Sequence, residues 1–286
     1  MAEVSVIIPL YNKSRYVRRA LDSVFGQTYQ DFEMVVVDDG SSDDGYDIVR
    51  RYQDRRLRLI QQRNAGPGTA RNRGIRETTG PYVAFLDADD EWLPGFLNVT
   101  LGHLRENADC VLCTVGFIDG RTGKPSPHNQ KIGYGRWQLP LKIESREMKT
   151  AIDAVHSGCR ILCRREILLQ FGGFYENHCT YGEDEYLWLQ VILNYPIFRD
   201  PTPLAIYHIE TSTYGYFGRK GICPTPPILT DPGPIRRACP PRYRDLLENY
   251  LASWARRTGY SRLSVGDGTE GYDFARRRHV HQLHHV

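Results

Sequence analysis

The apolar run Phe85-Leu86 ends in Asp87-Ala88-Asp89-Asp90, and the spacing of these carboxylates admits a definite chemistry. Along an extended strand successive side chains alternate faces, so Asp87 and Asp89 point the same way, roughly 6 to 7 Å apart. A divalent cation fits between them. Hard ions such as Mg²⁺ take oxygen ligands and keep positions open for substrate phosphates, so the pair suits a metal–diphosphate site. A lone Asp-X-Asp reads more simply as a solvated turn. Asp38-Asp39-Gly40-Ser41 follows a second apolar run. A carboxylate acceptor there suits the imide N–H of uracil or thymine and is ill matched to the acceptor nitrogens of adenine, although the segment by itself is a turn and a helix cap. Glu183-Asp184-Glu185 opens a third element, with Leu187, Val191 and Ile192 on one apolar face. A carboxylate at a helix start is favoured by the macrodipole and can take a proton from an attacking hydroxyl, worth about 10² to 10⁴ in rate. The plainer reading is an ordinary first-turn acid.

The elements that must position these groups alternate along the first hundred residues. Apolar, β-rich runs at 4–9, 32–37, 57–61 and 82–86 predict strands, and helical periodicity separates them: Val17, Ala20, Leu21, Val24 and Phe25 after a candidate N-cap at Ser14, then Ile48, Val49 and Tyr52, then a helix from the turn Asn64-Ala65-Gly66-Pro67-Gly68 to about Thr78. Repeated βαβ units predict a mostly parallel sheet with helices on both faces and ligands outside the carboxyl ends of the strands. Pro9-Leu10-Tyr11-Asn12, Asp38 to Ser41 and Asp87 to Asp89 each follow a strand directly, so topology gathers them at one edge. Gly66-Pro67-Gly68 does not extend to a dinucleotide fingerprint, because Arg71 stands where the third glycine belongs.

Composition bounds the possibilities. The chain has 286 residues, 41% hydrophobic and 25% charged, enough for one globular core or two small ones. Its 37 basic and 34 acidic residues are interspersed and leave a net charge of +3, which gives no electrostatic case for nucleic acid. No apolar run approaches the roughly 20 residues that span a bilayer, and residues 1–10 lack a signal-peptide pattern. Seven cysteines, an odd number, predict reduced, buried thiols in a cytoplasmic setting rather than disulfides or zinc; Cys110 and Cys113 fall on opposite sides of a strand.

The ordered segments Val6-Ile-Ile-Pro-Leu-Tyr-Asn12, Gln27-Thr-Tyr29, Val37-Asp-Asp-Gly-Ser-Ser-Asp43, Asn64-Ala-Gly-Pro-Gly-Thr-Ala-Arg-Asn72, Phe85-Leu-Asp-Ala-Asp-Asp90 and Gly182-Glu-Asp184 resemble family 2 glycosyltransferases, closely over residues 3–100 and loosely to about 210. The resemblance implies an α/β GT-A fold, Rossmann-like, and inverting transfer of a sugar from a UDP-sugar or another nucleotide-diphospho-sugar, with Mn²⁺ or Mg²⁺. It implies that Pro9, Tyr11 and Asn12 line the base and ribose pocket, that Asp39 beside Asp38 binds uracil, and that Arg71 holds the base or diphosphate. Asp89 matches the metal ligand, with Asp87 and Ala88 in the ribose or metal shell, and Asp184 beside Glu183 matches the general base. His208, on a predicted strand after that helix, is a candidate third metal ligand or a structural histidine. One departure stands out: Tyr186-Leu-Trp-Leu-Gln190 replaces the second acid and arginine that often follow. The implied acceptor is a saccharide or lipid-linked saccharide, in polysaccharide, lipopolysaccharide or glycolipid assembly. A noncatalytic nucleotide-sugar-binding protein and an Asp-X-Asp phosphatase are the competing readings.

The expected organisation is a catalytic domain over 1–210, with a nucleotide-sugar half (1–100) and an acceptor half (101–210), then a Pro/Gly-rich linker or lid over 211–241. A C-terminal amphipathic helix and mobile tail complete it over 242–286. Tyr243, Leu246, Leu247, Tyr250, Leu251 and Trp254 form an apolar stripe at helical spacing. The stripe suits docking onto the catalytic domain, or else a homodimer or a peripheral contact with the inner face of the cell membrane.

Overall fold

The four apolar runs of the first ninety residues become parallel strands joined by helical crossovers, because continuous Val/Ile/Leu stretches need apolar cover on both sides. The computed structural model describes residues 2–211, apart from 154, 156, 157, 178 and 180, and residues 225–258. Among these, the order is β1 (Val4–Leu10), α1 (Val17–Phe25), β2 (Phe32–Asp38), α2 (Gly45–Arg50), β3 (Leu57–Gln61), α3 (Pro67–Glu77), β4 (Tyr82–Phe85), β5 (Glu91–Trp92) and α4 (Phe96–Glu106). β6 (Leu112–Asp119), β7 (Lys124–Pro125), α5 (Asn129–Ile132), β8 (Gly135–Trp137), α6 (Ser145–Asp153), β9 (Ile161–Arg164), α7 (Arg165–Gln170), α8 (Glu183–Asn194) and β10 (Ile197–Tyr207) follow. The chain then continues through α9 (Pro227–Thr230), α10 (Gly233–Ala238) and α11 (Arg244–Thr258).

The sheet runs β3-β2-β1-β4-β9-β6-β10-β5. β1 pairs in parallel with β2 and β4, β2 with β3, and β6 with β10; β9 is antiparallel to both β4 and β6, and β5 is antiparallel to β10. The carboxyl ends of β1, β2, β3, β4, β6 and β10 therefore share one edge, and the start of β9 joins them. Side-chain alternation divides the core in two. Val6, Ile8, Ala84 and Leu86 meet α1 and α4 on one face, whereas Ile7, Val83 and Phe85 meet α8 and the C-terminal helices on the other. Cys110, Cys113, Cys159 and Cys163 are fully buried, as expected, and burial pushes the Cys110 thiol up to about 11.

Three boundaries differ from expectation. Ser14 does not cap α1: the helix begins at Val17, and the Ser14 amide instead donates to Asp43 Oδ2 at 2.8 Å. The described part of the expected linker, 225–241, is no linker. Its prolines start two short helices whose Ile228 and Ile235 are fully buried in the α8 core, since proline at a first helical turn costs no hydrogen bond. Residues 212–224 and the expected mobile tail from 259 lie outside the described residues. The apolar stripe of α11 is spent inside the chain, with Tyr243, Leu247, Tyr250 and Leu251 buried against the same cluster, which takes it away from a homodimer or a membrane surface. Among the described residues no helix is long and apolar enough to cross a membrane.

The polar tips of that stripe tie α11 to α8. Buried Tyr250 donates to Glu185 Oε1 at 2.5 Å and accepts from Trp254 Nε1 at 2.8 Å. Removing the hydroxyl leaves a buried carboxylate and a half-buried N–H without this partner, which costs about 1–3 kcal/mol. Tyr250→Phe is expected to lower the urea-unfolding free energy by that amount; an unchanged midpoint would show that the link contributes nothing.

Candidate active site

At the shared edge, Leu10 of β1 lies in register with Asp38 of β2, which lies in register with Gln61 of β3. Asp38 is fully buried and accepts from the Ser41 amide at 3.2 Å and Gln61 Nε2 at 3.1 Å. Asp39 is more heavily engaged. Its Oδ1 accepts from Gln62 Nε2 (2.8 Å) and the Ala65 amide (2.9 Å), and its Oδ2 from the Gly66 amide (2.8 Å). A carboxylate offers about four lone-pair sites, so one remains for a ligand N–H. Asp39 thus also anchors the turn from which α3 departs, where Gly66 sits at φ +95°, a conformation that favours glycine.

The loop after β4 presents its carboxylates to different partners. Asp87 is half-buried, and its Oδ1 accepts from Arg71 Nη2 at 2.7 Å. Asp89 is buried, and its Oδ2 meets Lys13 Nζ at 2.5 Å and Thr211 Oγ1 at 2.9 Å. The Arg19 guanidinium donates to the Asp89 carbonyl. Asp90 faces inward, accepts from the His208 amide at 2.8 Å, and titrates well above the usual carboxylate range through burial first and then the charges of Asp87 and Asp89.

α8 supplies the third group. Gly182 precedes it at φ +78°, and a side chain there would also crowd Pro226, so glycine sets the approach of the helix. Glu183 is buried and accepts from Arg71 Nη1 at 2.8 Å. Burial and the neighbouring Asp184 raise its pKa, against the opposing charge of Arg71. Burial alone would lower the pKa of Arg71, but Asp87, Glu183 and Asp184 together raise it and hold it charged. Asp184 is half-buried and accepts from the Glu185 amide at 2.8 Å. One arginine therefore joins the loop after β4 to the first turn of α8.

Of the other sequence-predicted residues, Tyr11 is 49% exposed at the rim, beyond half-buried Pro9. Asn12, at φ +52°, locks to the neighbouring loop: its amide donates to Ser41 Oγ (3.1 Å), and its Oδ1 accepts from the Ser42 amide (2.8 Å). Ala88 is buried. His208 does not join Asp89. Its Nε2 faces Glu91 Oε1 at 2.8 Å and its Nδ1 faces Glu210 Oε1 at 3.0 Å. Arg71 likewise points to Asp87 and Glu183, not outward. Sequence reading missed Lys13 and Arg19; the only signal was that Lys13 directly follows Tyr11-Asn12 on the loop after β1.

The donor set fits a divalent cation in one form only. Among the described residues no group of three or more His, Cys, Asp or Glu could hold a metal by itself. Asp89, with Asp87 beside it, supplies hard carboxylate oxygens, the ligation Mg²⁺ takes when substrate phosphates complete its shell.

The family model for glycosyl transferase family 2 matches residues 5–172. An uncharacterized glycosyltransferase of Escherichia coli, YibD, is 38% identical over 125 residues, 43% of this chain and 36% of the relative, so the chain spans little more than a third of that protein. Staphylococcus aureus TarS in complex with UDP-GlcNAc superposes with a TM-score of 0.70 at 22% identity, over 91% of this chain and 74% of TarS. The mannosyltransferase PcManGT of Pyrobaculum calidifontis, in complex with GDP-Man and Mn²⁺, gives 0.57 at 18% identity, over 99% and 81%. These likenesses establish the expected GT-A architecture with its C-terminal helix.

Asp39 generates a stability prediction independent of any ligand. Asp39→Asn turns an amide toward the backbone donors of Ala65 or Gly66, and a buried donor without an acceptor costs about 1–3 kcal/mol. Urea unfolding should register that loss; an unaltered curve would remove Asp39 as the anchor of the turn.

Proposed function

The chain belongs to glycosyl transferase family 2, and from that premise we propose that it transfers a sugar, with inversion, from a UDP-sugar to a hydroxyl of a saccharide or lipid-linked saccharide. The observation that carries the reading is the convergence of Asp39, the Asp87–Asp89 pair and Asp184 at one sheet edge, with Arg71 joining Asp87 to Glu183, the neighbour of Asp184.

In this reading Asp184 takes the proton of the acceptor hydroxyl as its oxygen bonds to the anomeric carbon. The bond from that carbon to the diphosphate breaks on the opposite side, so UDP departs and configuration inverts. A positioned base supplies about 10² to 10⁴ of the rate. The remaining lone pair of Asp39 receives the uracil imide N–H, and Tyr11 borders the base. Asp89, with Asp87, would hold Mn²⁺ or Mg²⁺, which when bound offsets charge developing on the leaving diphosphate. Lys13, beside Asp89, places a further positive charge on that side. UDP is preferred over other nucleotides on two grounds: Asp39 is an acceptor suited to a uracil ring, and TarS binds UDP-GlcNAc.

UDP release should be measured across a panel of UDP-sugars with Mn²⁺ or Mg²⁺ and candidate acceptors. Asp89→Ala and chelation by EDTA are each expected to lower turnover at least about 10²-fold; undiminished release from the Asp89 variant would sink the assignment. Asp184→Asn should lower transfer about 10² to 10⁴-fold while calorimetry still registers UDP. UDP binding without release from any sugar nucleotide would instead favour a noncatalytic binder.

A further inference from the structure

We infer that Arg71 is a positioning residue that fixes the separation of the donor-side carboxylate Asp87 from Glu183 and the adjacent base Asp184, and that it does not itself contact the nucleotide sugar. What is being positioned rests on the glycosyl-transfer reading above; that it is held rests on geometry alone.

Both ends of the guanidinium fork are occupied, Nη2 by Asp87 at 2.7 Å and Nη1 by Glu183 at 2.8 Å. These partners belong to different elements, the loop after β4 and the first turn of α8. Nε is buried and has no hydrogen-bond partner, so the two carboxylates alone orient the group. Its plane is restrained too. The guanidinium stands 5.2 Å from the Phe174 ring centre, and Phe174 packs edge-on against Phe85 at 4.9 Å and Trp188 at 5.6 Å. With 8% of its side chain exposed, Arg71 has no free face to turn toward a diphosphate.

The rest of α3 grips the same segment. A Cβ on Gly68 would fall 2.4 Å from the Tyr175 carbonyl and 3.3 Å from Glu183 Cγ, so glycine is what lets α3 approach the start of α8. Asn72 accepts from the Phe174 amide at 2.8 Å and donates to the Phe174 carbonyl at 2.7 Å. Gly68, Arg71 and Asn72 thus hold Phe174, Tyr175 and Glu183 from one helix, and of the three Arg71 reaches across to Asp87. A charge is needed there because Asp87, Glu183 and Asp184 repel one another. A fork is needed because two acceptors must be set at once, which a lysine point charge cannot do. Misplacement of a base by about 1 Å can cost 10²-fold in rate.

The test uses the full chain carrying Arg71→Lys, Arg71→Gln or Glu183→Gln. UDP affinity is measured by calorimetry, amide exchange over 174–190 by mass spectrometry, and kcat and KM with whichever UDP-sugar supports turnover. For both Arg71 variants the UDP Kd and donor KM should stay within about threefold of wild type, exchange at 182–187 should quicken about tenfold, and kcat should fall about 10²-fold. Glu183→Gln should give the same pattern, and joining it to Arg71→Lys should add little, as for groups that act as a unit. A tenfold loss of UDP affinity with unchanged exchange would overturn the inference and make Arg71 a donor contact; full recovery of kcat by lysine would overturn it as well. If Arg71→Gln does not fold, Arg71→Lys, which keeps the charge, carries the comparison. A wild-type chain that binds no UDP would fail the donor reading, and the exchange data would still decide whether Arg71 holds α8.

Discussion

Repulsion among carboxylates crowded on one sheet edge is the constraint around which the rest of the structure is arranged. Asp38, Asp39, Asp87, Asp89, Asp90, Glu183 and Asp184 converge there, and several devices answer their charge. Asp38 and Asp39 accept backbone and amide N–H groups. Asp89 is met by Lys13, while Asp87 and Glu183 share Arg71. Asp90 turns inward, where burial raises its pKa and favours its neutral form. The outcome is selective: among the carboxylates proposed for chemistry, Asp87 and Asp184 keep part of their surface accessible, whereas Asp39 and Asp89 are buried.

α8 carries more of the architecture than its length suggests. Its first turn faces the carboxylate edge, its apolar body is buried on the sheet face opposite α1 and α4, and its remaining side receives the C-terminal helices. The Tyr250–Glu185 bond and the Asp231 carbonyl that accepts from Tyr186 at 3.2 Å fasten that side. The expected second acid and arginine after Asp184 are replaced by Tyr186, Leu187, Trp188, Leu189 and Gln190, all of them buried. This stretch is therefore used for packing, and the described C-terminal extension acts as a buttress of the helix that bears the proposed base.

Much of this was legible in the sequence. The four strands of the first ninety residues, the helices between them and the helix at Glu183 follow from apolar periodicity, and the gathering of Asp39 and Asp87–Asp89 follows from where parallel strands end. What the residues could not announce was side-chain pairing over long sequence distance. Arg71 reads as a failed glycine or, by resemblance, as a donor contact, and only packing brings it to Glu183, 112 residues away. The surroundings of His208 were hidden for the same reason: nothing local shows that Glu91, 117 residues earlier, faces its ring. Residues 225–241 failed by composition, because prolines that suggest a loop also start helices.

The sequence by itself determined the kind of protein: strand and helix periodicities are local, and the family's motifs lie in short contiguous segments whose order needs no folding to be read. Tertiary structure decided which charges meet. A guanidinium between two carboxylates, a lysine on Asp89 and a stripe turned inward rather than outward depend on distances between residues far apart in the chain, and those distances exist only once the sheet is closed over its two cores.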